Sequence, residues 1–334
     1  MKHIRTPVAT LNQNTAFQTP EGSRAGSVTV SREFGLLVLT FGAVILFSIL
    51  YPRSFCNFAN FAAVARNLAF DGILAVGMML LMVSGVFDLS VGAMFSMAGV
   101  LTAWLLKEAH LPVPLAILCG LAAATLGGLI NGFIVARVRV NALITTLGTM
   151  QIFRGIAVLV GGPGINFLPE SFSRLGQAQL LGLQCPFWLM LLIVIFFQSL
   201  LAKTRFFRQF YYIGGNVRAA YLSGINVQRM QMIAFMIAGF LAGLSGMAFA
   251  SRLATGVSIA GDGAELRVIT AVILGGASLT GGKGTIWGAL IGVVFIALIN
   301  NIMIIAQISS YWQSIIIGMV LVLAVALDSL VNRQ

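Results

Sequence analysis

The chain alternates long apolar runs with short polar joints over nearly its whole length. Most runs approach the roughly 20 residues that an α-helix needs to cross the hydrocarbon of a bilayer. Spans are expected at 35–51, 67–86, 90–106, 113–135, 141–160, 187–202, 231–250, 266–280, 286–305 and 312–330. The fold class is therefore all-α: a polytopic membrane protein of about ten transmembrane helices. Two joints are too short and too rich in glycine to be ordinary loops. "VSGVFDLSVGAM" (83–94) and "ILGGASLTGGKGTIWGAL" (273–290) interrupt apolar sequence without leaving it. Unwound backbone at membrane depth is tolerated only where it is buried in protein or lines a cavity. Paired interruptions in corresponding halves point to a translocation path between related repeats. Broken helices are thus expected at 83–94 and 273–290, in two related halves. "GGLINGFIVA" (127–136) and "FIALINNIMI" (295–304) echo each other loosely.

Composition strengthens this picture. Of 334 residues, 59% are hydrophobic and 9% charged, and the mean hydropathy is +0.98; soluble domains carry about 25% charged residues. The net charge of +11 does not form a nucleic-acid-binding face, because the basic residues are distributed between the apolar runs. They act instead as topology determinants. Lys2, Arg5, Arg24 and Arg32 precede the first span, Arg137 and Arg139 lie in the 136–140 joint, and the 203–230 segment carries five basic residues without an acid. Ten alternating spans put these segments on one side, which the positive-inside rule makes cytoplasmic, with both termini. Residues 1–34 read as a polar, mobile cytoplasmic tail and 35–334 as a single transmembrane domain. The long outer joint 161–186 has a semi-apolar middle suited to lying along the surface. Cys56, Cys119 and Cys185 show no metal-ligand spacing; a Cys56–Cys185 disulfide requires both to face an oxidising compartment.

"LGGASLTGGKGT" (274–285) mimics a phosphate-binding loop. A true one needs G-x-x-x-x-G-K-[ST], whose backbone amides wrap the phosphates. Here Ala277 occupies the first glycine position, and Gly284 displaces the hydroxyl that would meet magnesium to Thr285. The glycines, Gly276 and Gly282 among them, better serve a chain break and close helix approach. No cofactor is expected. Nor can a catalytic triad, a zinc-protease motif or paired intramembrane carboxylates be assembled, which argues against an enzyme.

Few residues are left to carry chemistry. Asp88, in "FDLSVG", sits at the first break, where a carboxylate must meet water, protein or a helix N-terminus. It either caps the following helix, accepting from the Leu89–Val91 amides, or contacts the solute. Asp71 lies inside a span; it either hydrogen-bonds solute hydroxyls or reaches the outer interface. Arg154 reads as a snorkelling side chain directed to the outer surface. In "YYIGGNVRAAYLSG", Asn216 should cap a short helix over 218–222 that Gly224 ends. Such a glycine-framed helix on the cytoplasmic face suits docking of a soluble partner; a plain basic connector would not need the frame.

Four stretches, "FDLSVGA", "VNALITTLGTMQIFRG", "YYIGGNVRAAYLSGINV" and "AVILGGASLTGGKGTIWGALIG", resemble the membrane permeases of monosaccharide importers of the ATP-binding-cassette (ABC) type, which carry ribose, arabinose or xylose. The resemblance covers about 36–330, and "NALITTLGTMQIFRG" and "ASRLATG" are most similar to L-arabinose permeases. It implies an inner-membrane permease without its own ATPase site. The implied partners are a cytoplasmic ABC ATPase, a periplasmic sugar-binding protein and a second permease copy or paralogue. The resemblance implies Asp88 and Ser90 as path candidates; Asp71, Asn141, Thr145, Gly276 and Gly282 are further path candidates of this sequence. The resemblance also implies Gly214, Gly215, Asn216, Arg218, Ala219, Ala220 and Gly224 as the ATPase-coupling segment. The chain departs from the family pattern at Val86, where a second glycine is usual, at Arg267, where many members have an acid, and at Asp71, which has no usual counterpart. A secondary carrier or facilitative channel for a small neutral solute is the alternative class.

Overall fold

The computed structural model describes residues 32–331, without the side chains of residues 32, 310 and 327–331. Residues 1–31 of the expected cytoplasmic tail lie outside the described residues. The helices are α1 (Arg32–Leu50), α2 (Pro52–Phe55), α3 (Phe58–Val83), α4 (Val91–Lys107), α5 (Val113–Gly132), α6 (Ala142–Gly161), α7 (Glu170–Gln177), α8 (Cys185–Lys203), α9 (Arg205–Gly215), α10 (Val217–Leu222), α11 (Val227–Leu253), α12 (Ala264–Leu274), α13 (Ile286–Ile305) and α14 (Ser310–Val331). A π-helical turn, Phe133–Val138, extends α5. Among the described residues, strand structure is confined to two antiparallel pairs of two-residue strands. These are β1 (Ile165–Asn166) with β4 (Thr255–Gly256), and β2 (Gln179–Leu180) with β3 (Leu183–Gln184).

Each of the ten expected spans corresponds to a helix, but they are unequal. Seven described helices are long and apolar enough to cross a membrane: α1, α3, α5 with its π turn, α6, α8, α11 and α13. Helix α4 is shorter because it begins only after the first break, and α12, at 11 residues, is half a span. The reason for the short α12 lies in the preceding chain. Gly256 packs on Val100 and Ala103 of α4, whereas Gly261 packs on Gly92 and donates its amide to Ser96 Oγ at 2.8 Å. The chain after α11 therefore folds back along α4 by about 16 Å before α12 starts. Residues 255–263 form a re-entrant segment where an outer loop was expected. The middle of the 161–186 joint is also drawn inward: Phe172 of α7 is buried, and its carbonyl accepts from Ser251 Oγ at 2.6 Å. The three cysteines are free thiols.

Helix starts follow local chemistry. The side chains of Asn57, Asn141, Thr204, Asn216, Asn226 and Thr285 each accept an amide of the first turn, meeting donors that the helix cannot satisfy itself. The bundle is organised around α11, which packs most extensively on α5, α4 and α3. No hydrophobic gain separates helix from lipid, so small residues that permit backbone approach hold such contacts. At Gly246 an added Cβ would run into the Phe95 carbonyl, and at Gly128 into that of Phe235.

A Gly246→Val substitution should therefore destabilise the protein by about 3 kcal/mol and reduce the folded fraction in detergent size-exclusion chromatography. Gly148→Ala, facing open space, should leave the elution profile unchanged.

Candidate functional site

The first break carries Asp88, fully buried with Ser90. Asp88 Oδ1 accepts both the Ser90 amide at 2.7 Å and the Ser90 hydroxyl at 2.6 Å. Its other oxygen accepts from Asn131 Nδ2 at 3.1 Å, and the same amide reaches Ser90 Oγ at 2.8 Å. Asp88 thus closes a turn on Ser90, the residue that opens α4, rather than accepting from the amides of the helix itself. A buried carboxylate needs such donors, because desolvation alone costs several kcal/mol. Asn131, at the end of α5, completes the knot. Its signal in sequence was an amide inside the otherwise apolar "GGLINGFIVA".

The two breaks meet. The Gly282 amide donates to the Val83 carbonyl, the last residue of α3, at 2.9 Å. Gly85, Gly214 and Gly281 bring three backbones together: a Cβ on Gly281 would lie 2.8 Å from the Cα atoms of both Gly85 and Gly214. Gly85, Gly281 and Gly282 have φ of +82°, +89° and +74°, a region glycine enters without strain. Further bonds stitch the second break. Tyr211 of α9 donates to the Gly284 carbonyl at 2.7 Å, and Thr285 donates to Glu33 of α1 at 2.7 Å. Burial first, and then the Glu33 charge, push the Tyr211 hydroxyl above its ordinary pKa, so it stays a donor.

Directly joined to this junction is α10. Asn216 Oδ1 accepts the Ala219 amide at 2.9 Å, and Gly224, at φ +82°, ends the helix. Ala220 is buried and anchors it, while Val217, Tyr221 and Leu222 are exposed at 52%, 71% and 76%. The short helix thus carries exposed apolar side chains beside the junction. Arg218 borders the open groove beside it with Arg139 and Gln228.

The re-entrant segment assembles charge that the sequence left scattered. Asp71 of α3 pairs with Arg267 of α12, with Nε–Oδ2 3.3 Å and Nη2–Oδ1 3.4 Å. Arg154 does not run alone to the outer surface: its Nη2 lies 2.9 Å from Asp262 Oδ1. The dipping chain places Asp262 within its reach. Glu265, buried in the first turn of α12, sits against Gly92, where a side chain would collide with its carboxylate. Asp262 and Glu265 also suit the positive end of the α12 dipole. Asp71 and Arg267 face a cleft of about 220 Å³, lined also by Asn67, Asn300 and Asn301.

The remaining candidates lie apart. The Asn141 side chain is committed to capping α6, accepting from the Leu143 amide at 2.9 Å. Thr145 is buried with its hydroxyl lacking a partner among the described residues. Gly276 occupies a turn at φ +96° just beyond α12.

A polytopic helical bundle with two meeting chain breaks and an exposed capped helix beside them has the form of a transporter's membrane component. The chain belongs to the family described as "Branched-chain amino acid transport system / permease component", whose model matches residues 60–325. It is similar to the L-arabinose transport system permease protein AraH of Escherichia coli K12, with 36% identity over 313 residues, covering 92% of this chain and 95% of that protein. Similarity to the ribose import permease protein RbsC of Bacillus subtilis 168 is 37% over 305 residues, covering 90% and 93% respectively. The autoinducer 2 import system permease protein LsrC of Shigella flexneri is 36% identical over 257 residues, covering 77% of this chain and 75% of the relative. No solved structure matches. The expected membership among permeases of sugar ABC importers is thus shown.

Asn131→Leu should lower thermal stability in detergent by about 2–3 kcal/mol, because a buried carboxylate loses a donor. Asn141→Ala, removing an exposed cap, should cost about 1 kcal/mol. Intrinsic-fluorescence melting of the two variants checks the ranking.

Proposed function

We propose that this chain is the membrane-spanning subunit of an ABC importer for a monosaccharide, a pentose or similar sugar. A periplasmic binding protein delivers the sugar, and a separate cytoplasmic ATPase supplies the energy. The carrying observation is the continuity of backbone from α10 to both breaks, through Gly214, Gly281, Gly282 and Val83. ATP-driven movement of the partner pushes on α10, and the glycine junction passes it to α3, α4, α12 and α13 together. Residues 35–334 act as one permease domain in the bacterial inner membrane, with both termini cytoplasmic and a second copy or paralogue beside it. Asp88 and Ser90 serve the path by fixing the first break, while Asp71 faces the solute. Gly276 and Gly282 let the second break turn. The Asn141 cap and the partnerless Thr145 hydroxyl hold the α6 side of the path. Gly214, Gly215, Asn216, Arg218, Ala219, Ala220 and Gly224 form the coupling segment. The chain has no ATP site of its own.

The ionisable cluster of Asp71, Arg154, Asp262, Glu265 and Arg267 is the one observation that suits a secondary carrier. Reconstitution separates the two readings. The purified chain should hydrolyse no ATP, and sugar uptake into proteoliposomes should need the ATPase and binding protein. Uptake by the lone chain would favour the carrier; robust ATP hydrolysis by it would overturn the permease reading. Within the complete assembly, Tyr221→Ala with Leu222→Ala should reduce ATP-driven uptake by about tenfold or more, the scale of an interface hot spot. Both side chains are exposed, so the melting temperature of the isolated subunit should stay unchanged.

A further inference from the structure

The Asp71–Arg267 cleft draws its walls from α3, α11, α12 and α13. Polar side chains at membrane depth face water or protein, since exposure to lipid is costly. On α3, Asn60, Asn67 and Asp71 follow one another at spacings of seven and four, which places them along one helix face over about 16 Å. Asn60 and Asn301 hydrogen-bond each other at 2.7 and 3.2 Å. Asn67, exposed, and Asn300 have no side-chain hydrogen-bond partner among the described residues. Both amides line the cleft beside Asp71 and Arg267 and are open to hydrogen-bond a polar occupant.

The cleft also restricts that occupant. Arg267 is already neutralised by Asp71, so an anionic group must break the pair and leave a carboxylate uncompensated. The pair still offers lone pairs and N–H donors in a fixed fork to neutral hydroxyls. Phe70 and Phe249, edge-to-face at 5.2 Å, add apolar wall suited to C–H surfaces. At about 220 Å³, the space falls below the ~300–1,000 Å³ of drug-sized pockets, so a single small solute fits.

Resting on the permease reading, we propose that the cleft is a transit subsite for an uncharged polyhydroxylated solute. Its hydroxyls are read by Asn67, Asn300 and the Asp71–Arg267 pair. Hydroxyl placement is thus read a second time, inside the membrane. A zwitterionic amino acid would bring a carboxylate that competes with Asp71 for Arg267.

Two measurements test it. In proteoliposomes holding the permease, its ATPase and its binding protein, uptake of D-ribose, L-arabinose and L-leucine is followed. Asn67→Leu and Asn300→Leu should each lower uptake of the transported sugar by about three- to tenfold, the scale of one hydrogen bond. Binding-protein-stimulated ATP hydrolysis should persist. Unchanged uptake, uptake lost together with stimulated hydrolysis, or wild-type transport of leucine but neither sugar would each overturn the proposal. In a chain with Cys56, Cys119 and Cys185 replaced by serine, Asn67→Cys and Asn300→Cys should react with a charged, membrane-impermeant methanethiosulfonate. Millimolar D-ribose or L-arabinose should slow that reaction. Inert thiols, or reaction that neither sugar slows, would overturn the subsite even if no probe is transported. Sugar uptake without the ATPase would instead remove the permease reading and leave the cleft standing.

Discussion

The hydrogen bond from the Gly282 amide to the Val83 carbonyl joins the two interrupted regions of the bundle. It forms only because the segments around it come within backbone contact, with Gly214 and Gly281 placed where a side chain would intrude and Gly85 packed against them. Side-chain contacts absorb small displacements by changing rotamer; backbone against backbone has no such slack. The ends of α3 and α9 and the start of α13 consequently share one mechanical point. The capped helix α10 stands immediately beyond it. Tyr211 and Thr285 reinforce the same point from α9 and α13, each through one polar bond.

Architecture was legible because bilayer thickness writes itself into sequence as run length. The breaks were legible for a related reason: glycine and acid within an apolar run have few other uses. The α10 helix could be read from Asn216 and Gly224, since capping chemistry is local. Other features depend on pairs distant in sequence. Nothing in "DGAELR" announces that Asp262 meets Arg154 and Arg267 meets Asp71; that follows from the chain folding back along α4. Counting apolar residues cannot reveal a re-entrant segment, because it looks like an outer joint followed by a short span. Asn131 stood out as an amide in an apolar run, but its role did not, its partners lying 43 and 41 residues away.

Charge placement separates two kinds of polar site. At Asp88 every polar contact is internal, and the group is sealed from solvent. At Asp71 the carboxylate is paired but partly open, beside the open amides of Asn67 and Asn300. A sealed, satisfied carboxylate fixes geometry; an open one beside free amides can exchange partners with a passing molecule. This difference, rather than acidity, distinguishes the two residues as functional candidates.

Helix α1 carries an implication for biosynthesis. Its outer surface is mostly bare, and its polar tie to the bundle is Glu33 with Thr285, 252 residues further along the chain. At about 5–20 residues per second, the ribosome needs roughly 10–50 s to produce that partner after α1 has emerged. Through that interval α1 must persist in the bilayer without its α13 partner, beside the earlier-made α2 that Phe47 meets through Phe55. Its apolar composition allows the wait, and its docking onto α13 belongs among the last events of assembly.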